Sequence, residues 1–174
     1  TPLSWLLLPY VAGSTDDGIS FGAFMILADE REEFDPYRYQ LRMAAMASVS
    51  EGSNKKLEWP KQEHRIYLDM RSIGSAPWNL EAEFSFRHWS TLGYYGIGNA
   101  TESKRHIGLD EKYAERYFEQ RRDEVYGYAF ATRPLVGGWR LKIGGLIRAV
   151  FPDPYDGSLI SRDADSGRVG GGFS

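Results

Sequence analysis

The chain has 174 residues, a formal net charge of −3 and no cysteine. This length fits one domain, the slightly acidic balance gives no reason to expect nucleic acid as a partner, and the lack of cysteine excludes disulfides and thiolate metal sites. The aromatic share of 14% and the 19 glycines are typical of β-barrels. We therefore expect a single domain over residues 1–174, built mainly of strands.

The first 28 residues predict a β-hairpin. Residues 5–12 form a short apolar run that favours a strand, although a signal-peptide remnant is an alternative interpretation. Residues 14–18 end in Gly18 and predict a turn, because glycine is free to adopt positive φ. A weaker alternation over residues 19–28 predicts the second strand.

Three later segments, residues 37–49, 78–88 and 139–151, alternate between apolar and polar residues, which is the period of a half-buried strand. A weaker alternation covers residues 63–71. Residues 112–133 are ambiguous, because their first half suits a helical turn or a strand that extends beyond a bilayer, and we favour the strand. The total is seven predicted strands.

The connections between these strands alternate in length. Residues 29–36, 73–77 and 134–138 are short connections, whereas residues 92–111 and 152–173 are long, with residues 51–56 between. Short turns at one end and long loops at the other are typical of outer-membrane barrels. The predicted fold is all-β, an antiparallel up-and-down meander of about seven strands that forms part of a transmembrane β-barrel.

The alternation predicts a wet environment on one side of the sheet and lipid on the other. The residues expected to face the barrel lumen are Arg38, Gln40, Arg42, Glu81, Glu83, Arg87, Arg140, Lys142 and Arg148. The residues expected to face lipid or to form the interfacial aromatic girdles are Tyr37, Trp78, Phe84, Phe86, Trp139 and Phe151. Membrane lipid is therefore an expected partner.

A soluble sandwich or a lipocalin-like binding barrel is the alternative, since such folds alternate too. Two features disfavour it. The polar side is charged along whole strands, and the aromatic residues of the apolar side lie at strand ends rather than in the middle.

Two short stretches resemble a known family. Residues 11–23 contain an acidic turn ending in Gly18, followed by Phe21-Gly22-Ala23, and residues 94–101 include Tyr95, Gly96, Ile97, Gly98 and Asn99. Both stretches resemble the bacterial surface antigen family, which contains the BamA- and TamA-type assembly barrels. The likeness covers most of the chain in layout, but only these stretches in letters.

The resemblance implies a bacterial outer-membrane barrel of sixteen strands, of which this chain would be the N-terminal part. It also implies insertion or translocation of proteins at the outer membrane, with client outer-membrane proteins and periplasmic repeat domains as partners. Further strands are then expected after residue 174, because an open sheet edge in hydrocarbon leaves backbone groups unpaired.

The sequence predicts no enzyme, no cofactor and no metal site. The three histidines, His64, His88 and His106, lack metal-ligand spacing, and no nucleophile elbow is present. A charged-lumen transport or structural barrel remains the second functional hypothesis, in which Arg38, Arg42, Arg140 and Lys142 would set anion preference.

Overall fold

The computed structural model describes residues 3–15, 18–31, 37–51, 56–73, 77–93 and 116–167. Over these ranges the chain forms eight antiparallel strands and one short helix, so the predicted all-β meander is confirmed. The elements are β1 (Leu3–Ser14), β2 (Gly18–Asp29), β3 (Tyr39–Glu51), β4 (Leu57–Glu58), β5 (Lys61–Met70), β6 (Asn79–Gly93), β7 (Glu119–Pro134), β8 (Arg140–Pro154) and α1 (Leu159–Asp165).

The strands form one sheet in the order β1-β2-β3-β5-β6-β7-β8, and the two-residue β4 pairs with β3 beside this path. Each long strand therefore pairs with its neighbour in the chain. The sheet is open, with β1 and β8 at its edges, and no other strand of the described ranges pairs with the free side of either.

The observed elements differ from the predicted ones at three places. The strand β4 was missed, because two residues are too few to show a period. The segment expected as one long strand from residue 112 has a turn at residues 116–118, and β7 begins at Glu119. The expected loop of residues 152–173 contains the end of β8 and helix α1, whose N-cap Ser158 accepts a hydrogen bond from the Ser161 amide at 3.3 Å.

The connections give the sheet two unlike ends. We call the end that carries the connections of residues 30–38, 71–78 and 135–139 the short-turn end. At the other end, the long-loop end, residues 15–17, 52–60 and 94–118 connect consecutive long strands, and the segment with α1 follows β8. The connections between long strands have nine, eight and five residues at the short-turn end and three, nine and 25 at the long-loop end, so the predicted difference in length rests on residues 94–118.

Two glycines let aromatic rings lie flat on the sheet. A Cβ at Gly144 would lie 2.0 Å from the Ala129 carbonyl oxygen and 2.6 Å from the ring of Phe130, its partner on β7. A Cβ at Gly22 would similarly lie 2.8 Å from the ring of Tyr10, its partner on β1. Such aromatic–glycine pairs fix the register of twisted sheets.

Candidate functional site

One side of the sheet is apolar from edge to edge. The pairing register aligns a row of apolar residues, consisting of Trp5, Leu27, Leu41, Leu68, Ala82, Ala129 and Gly145. We call this side the apolar face. Phe84 and Ile147 in its middle are 53% and 64% exposed, so no second layer of the described residues covers them.

The opposite side, the charged face, carries an ion-pair network centred on Glu124. This side chain is only 3% exposed, yet it contacts three arginines. The guanidinium of Arg122 donates to it, that of Arg148 donates at 2.9 Å, and Arg87 lies at 3.7 Å. The three cations compensate the cost of removing one carboxylate from water.

The network continues across the neighbouring strands. The guanidinium of Arg65 lies 3.2 Å from Glu63 and 3.5 Å from Glu83, and Arg87 lies 3.5 Å from Glu63. These pairs link β5 to β6, as the Glu124 cluster links β6, β7 and β8. The charged side chains thus form a connected ion-pair network rather than a set of isolated surface charges.

Smaller charged contacts lie near the short-turn end. The ammonium of Lys142 lies 3.3 Å from Glu81, and Arg71 lies 3.5 Å from Asp69. The charged face also holds an open cavity of about 320 Å³ bordered by Arg42, Arg65 and Tyr67. The Arg42 guanidinium lies over the Tyr67 ring at 5.4 Å.

The structure groups most of the residues expected to face the lumen. The strand register places them on the charged face, namely Gln40, Arg42, Glu81, Glu83, Arg87, Arg140, Lys142 and Arg148. Arg38 lies outside the alternation, in the bend before β3, where its amide donates to the Asp29 carbonyl at 2.8 Å.

Five of the six residues expected on the lipid side lie either on the apolar face or just before a strand. Phe84, Phe86 and Phe151 share the apolar face, and Trp139 is exposed just before β8. Trp78 lies just before β6.

Tyr37 differs from the expectation. Its hydroxyl donates to Asp69 at 2.7 Å and its ring lies under Arg71, because it precedes β3 and does not follow the strand's alternation.

Residues 95–99, which carry the second family-like stretch, lie outside the described residues, as does His106. His64 stacks on Phe86 at a ring separation of 6.2 Å, and His88 lies 2.5 Å from Asp123. Among the described residues, no group of three or more metal-binding side chains is found. In the same ranges, no helix is long and apolar enough to cross a membrane.

The edge strand β1 has a feature that the alternation did not reveal. Its apolar-face residues include Trp5, Leu7 and Val11, but Leu6 and Leu8 point to the opposite side and are about half exposed. The sequence signal was available, since residues 5–8 are apolar without interruption. β1 is thus apolar on both faces, and one of its backbone edges pairs with no other described strand.

A second missed feature is a side-chain cluster at the long-loop end. The Arg116 guanidinium donates to both carboxylate oxygens of Glu58, at 2.6 and 2.8 Å. The Tyr155 ring lies between Arg116 and Arg121, 4.7 and 4.8 Å from their guanidinium carbons, and its hydroxyl donates to the Ser90 carbonyl at 2.9 Å. Burial raises the pKa of the Tyr155 phenol above its ordinary value, against the opposing effect of the two arginines.

The same cluster holds α1 against the sheet. The Leu159 amide donates to the Tyr117 carbonyl at 2.8 Å, and the Arg162 guanidinium donates to the Tyr117 hydroxyl at 3.1 Å. Tyr117, Phe118 and Ile160 are all buried there. These partners are far apart in sequence, so no local pattern could have predicted the cluster.

No protein-family model, curated protein or solved structure significantly matches this chain.

Proposed function

We propose that this chain forms the wall of a bacterial outer-membrane β-barrel of the surface antigen type, and that the barrel inserts or translocates other proteins. The observation that carries the proposal is the segregation of the two faces. No other described residue covers the apolar face, while the charged face holds an arginine–glutamate network. A membrane barrel needs this division, with lipid on one side and water on the other.

The dimensions of the apolar face support a membrane location. On β8 the apolar face runs from Leu141 to Phe151, which is about 33 Å along the strand at roughly 3.3 Å per residue. A tilt of about 40° reduces this to about 25 Å, the height of the apolar band of outer-membrane barrels.

The apolar face also shifts along the strands from one edge to the other. On β2 it ends at Leu27, because Asp29 follows on the same side. On β8 it reaches Leu141, four residues beyond Gly145, which lies in the same row as Leu27. A band of constant depth must shift in this way when strands are tilted to the membrane normal.

The protein-inserting role is supported by β1. The outer edge of β1 pairs with no other strand of the described residues, and a strand can add to such an edge through backbone hydrogen bonds. Pro9 lies within β1 and has no N–H to donate, which weakens the pairing of this strand.

Cross-linking in lipid vesicles tests this role. The chain has no cysteine, so Leu7→Cys or Val11→Cys introduces a single thiol on β1, and Ile143→Cys introduces one on the same face at the other edge. We expect an unfolded outer-membrane protein with one cysteine in its last strand to cross-link to β1 far more than to Ile143→Cys. Equal yields at the two edges, or none at β1, would contradict the insertion role.

A transport barrel is the second candidate, because cationic side chains outnumber carboxylates on the charged face of the described strands. The arginines and lysines there are Arg42, Lys61, Arg65, Arg87, Arg122, Arg140, Lys142 and Arg148, and the carboxylates are Glu58, Glu63, Asp69, Glu81, Glu83 and Glu124. Steady, anion-selective conductance across a planar bilayer would favour this candidate over protein insertion.

A further inference from the structure

Leu6 and Leu8 of β1 are apolar but point to the charged face, which the proposed barrel would expose to water. Leu6 and Leu8 are 46% and 50% exposed, and Tyr10 beside them is also exposed. At the corresponding positions β6 carries Glu83 and Ser85. Two large aliphatic side chains half exposed to water indicate surface that a partner covers.

On the charged face, the exposed fraction of the apolar side chains rises from β2 to the outer edge of β1, which indicates where a partner would bind. Leu6 pairs with Ile26 and Leu8 pairs with Phe24, and both β2 residues are only partly exposed. The uncovered apolar surface therefore increases toward the free edge. A strand paired with that edge would place side chains about 4.5–5.5 Å from Leu6 and Leu8 and cover both.

The opposite edge of a second copy does not fit this position. On the charged face, β8 carries Leu146 in the row of Leu6 and Arg148 in the row of Leu8. The path from β1 to β8 contains seven strands that alternate in direction, so a second copy in the same membrane orientation would pair its β8 with β1 in parallel and break the antiparallel pattern. The occupant is therefore a strand that runs opposite to β8.

We propose that β1 selects a strand that is apolar on both faces. This inference rests on the proposed strand-accepting role of β1 and adds the chemistry of the partner. An ordinary barrel strand alternates apolar and polar residues, so its polar side would meet Leu6 and Leu8. A strand with apolar residues on that side as well buries both leucines.

Two peptides test the selectivity on the full chain carrying Leu7→Cys in lipid vesicles. Both peptides are ten-residue strands, on the order of one membrane crossing, with one cysteine and the same lipid-side residues. One has valine at every lumen-side position and the other has threonine, which has the same shape and β-propensity. We expect the valine peptide to reach half-maximal cross-linking at about tenfold lower concentration, since covering two half-exposed leucines is worth about one order of magnitude in affinity.

A matched pair of variants tests whether Leu6 and Leu8 cause the preference for the valine peptide. Leu6→Thr combined with Leu8→Thr should abolish the preference, whereas Leu146→Thr should retain it, because Leu146 also points to the charged face and is 59% exposed, but lies at the other edge. Equal cross-linking of the two peptides to the unaltered β1 would overturn the inference and leave the strand-accepting role standing. Failure of both peptides to cross-link would overturn the strand-accepting role and the inference with it.

Discussion

Glu124 shows how single residues stabilise the charged face. It is the most buried carboxylate of the described strands, and Arg87, Arg122 and Arg148 approach it from three adjacent strands. A carboxylate that is paired on several sides costs little to bury, but the arginines that it neutralises would repel one another without it.

Glu124→Gln should therefore destabilise the sheet by about 1–3 kcal/mol, because the isosteric amide keeps the packing and removes the charge. The urea midpoint of the chain in detergent micelles measures this effect. Glu81→Gln is the control, since the Glu81–Lys142 pair is exposed and should contribute less than about 1 kcal/mol. Equal losses in the two variants would mean that the Glu124 cluster has no special role.

Tyr155 gives the molecule a pH-dependent contact outside the strands. Because burial raises its pKa in the folded chain, the folded state holds the phenol proton more tightly than the unfolded state does. Its contribution is complete below the ordinary tyrosine pKa of about 10 and is lost as the pH rises through the folded value.

We expect the urea midpoint of the unaltered chain to fall more steeply above pH 10 than that of Tyr155→Phe. The other tyrosines are common to both chains, so the difference isolates Tyr155. Parallel pH profiles would contradict the assignment.

Among the elements, strand β8 contains two adjacent glycines, and only the first of them has no room for a side chain. A Cβ at Gly144 would lie 2.0 Å from the Ala129 carbonyl oxygen, whereas a Cβ at Gly145 would meet nothing within 4 Å. Backbone atoms cannot move aside as a flexible side chain can, so the two positions respond differently to the same added methyl group.

Gly144→Ala should disrupt the pairing of β7 with β8, and Gly145→Ala should leave it intact. Hydrogen exchange of the β8 amides measures the difference, with fast exchange expected only in Gly144→Ala. Protected β8 amides in Gly144→Ala would show that the Phe130 ring and the strand can shift to accept the methyl group.

The elements also show what the sequence was able to predict. Strands with one apolar and one charged side, such as β3, β6 and β8, were predicted because side-chain direction has a period of two. β4 and the Tyr155 cluster were not, because a two-residue strand has no period and the cluster joins Glu58, Arg116 and Tyr155 across long separations. The two-sided character of β1 was visible only as a break in the alternation.

At the scale of the whole molecule, the proposed membrane location predicts which face meets lipid and which meets water. Leu146 and Ile147 are adjacent on β8, are 59% and 64% exposed, and point to opposite faces. They differ little in size or hydrophobicity, so a probe at either site reports mainly on the surroundings.

With a nitroxide attached at Ile147→Cys in lipid vesicles, we expect relaxation by oxygen, which concentrates in lipid. At Leu146→Cys we expect relaxation by a water-soluble nickel complex. Electron paramagnetic resonance power saturation measures both. Equal access of the nickel complex to the two sites would contradict the membrane location and favour a soluble sheet.

The number of long strands limits how the open sheet can be closed into a barrel. The path from β1 to β8 contains seven strands that alternate in direction, so the two free edges run the same way. Two copies rotated about an axis normal to the bilayer would meet edge to edge with parallel strands, which breaks the antiparallel pattern at both seams. An unbroken antiparallel cylinder therefore requires an odd number of further strands whose first and last members run opposite to β1 and β8, and a second copy in the same membrane orientation cannot supply them.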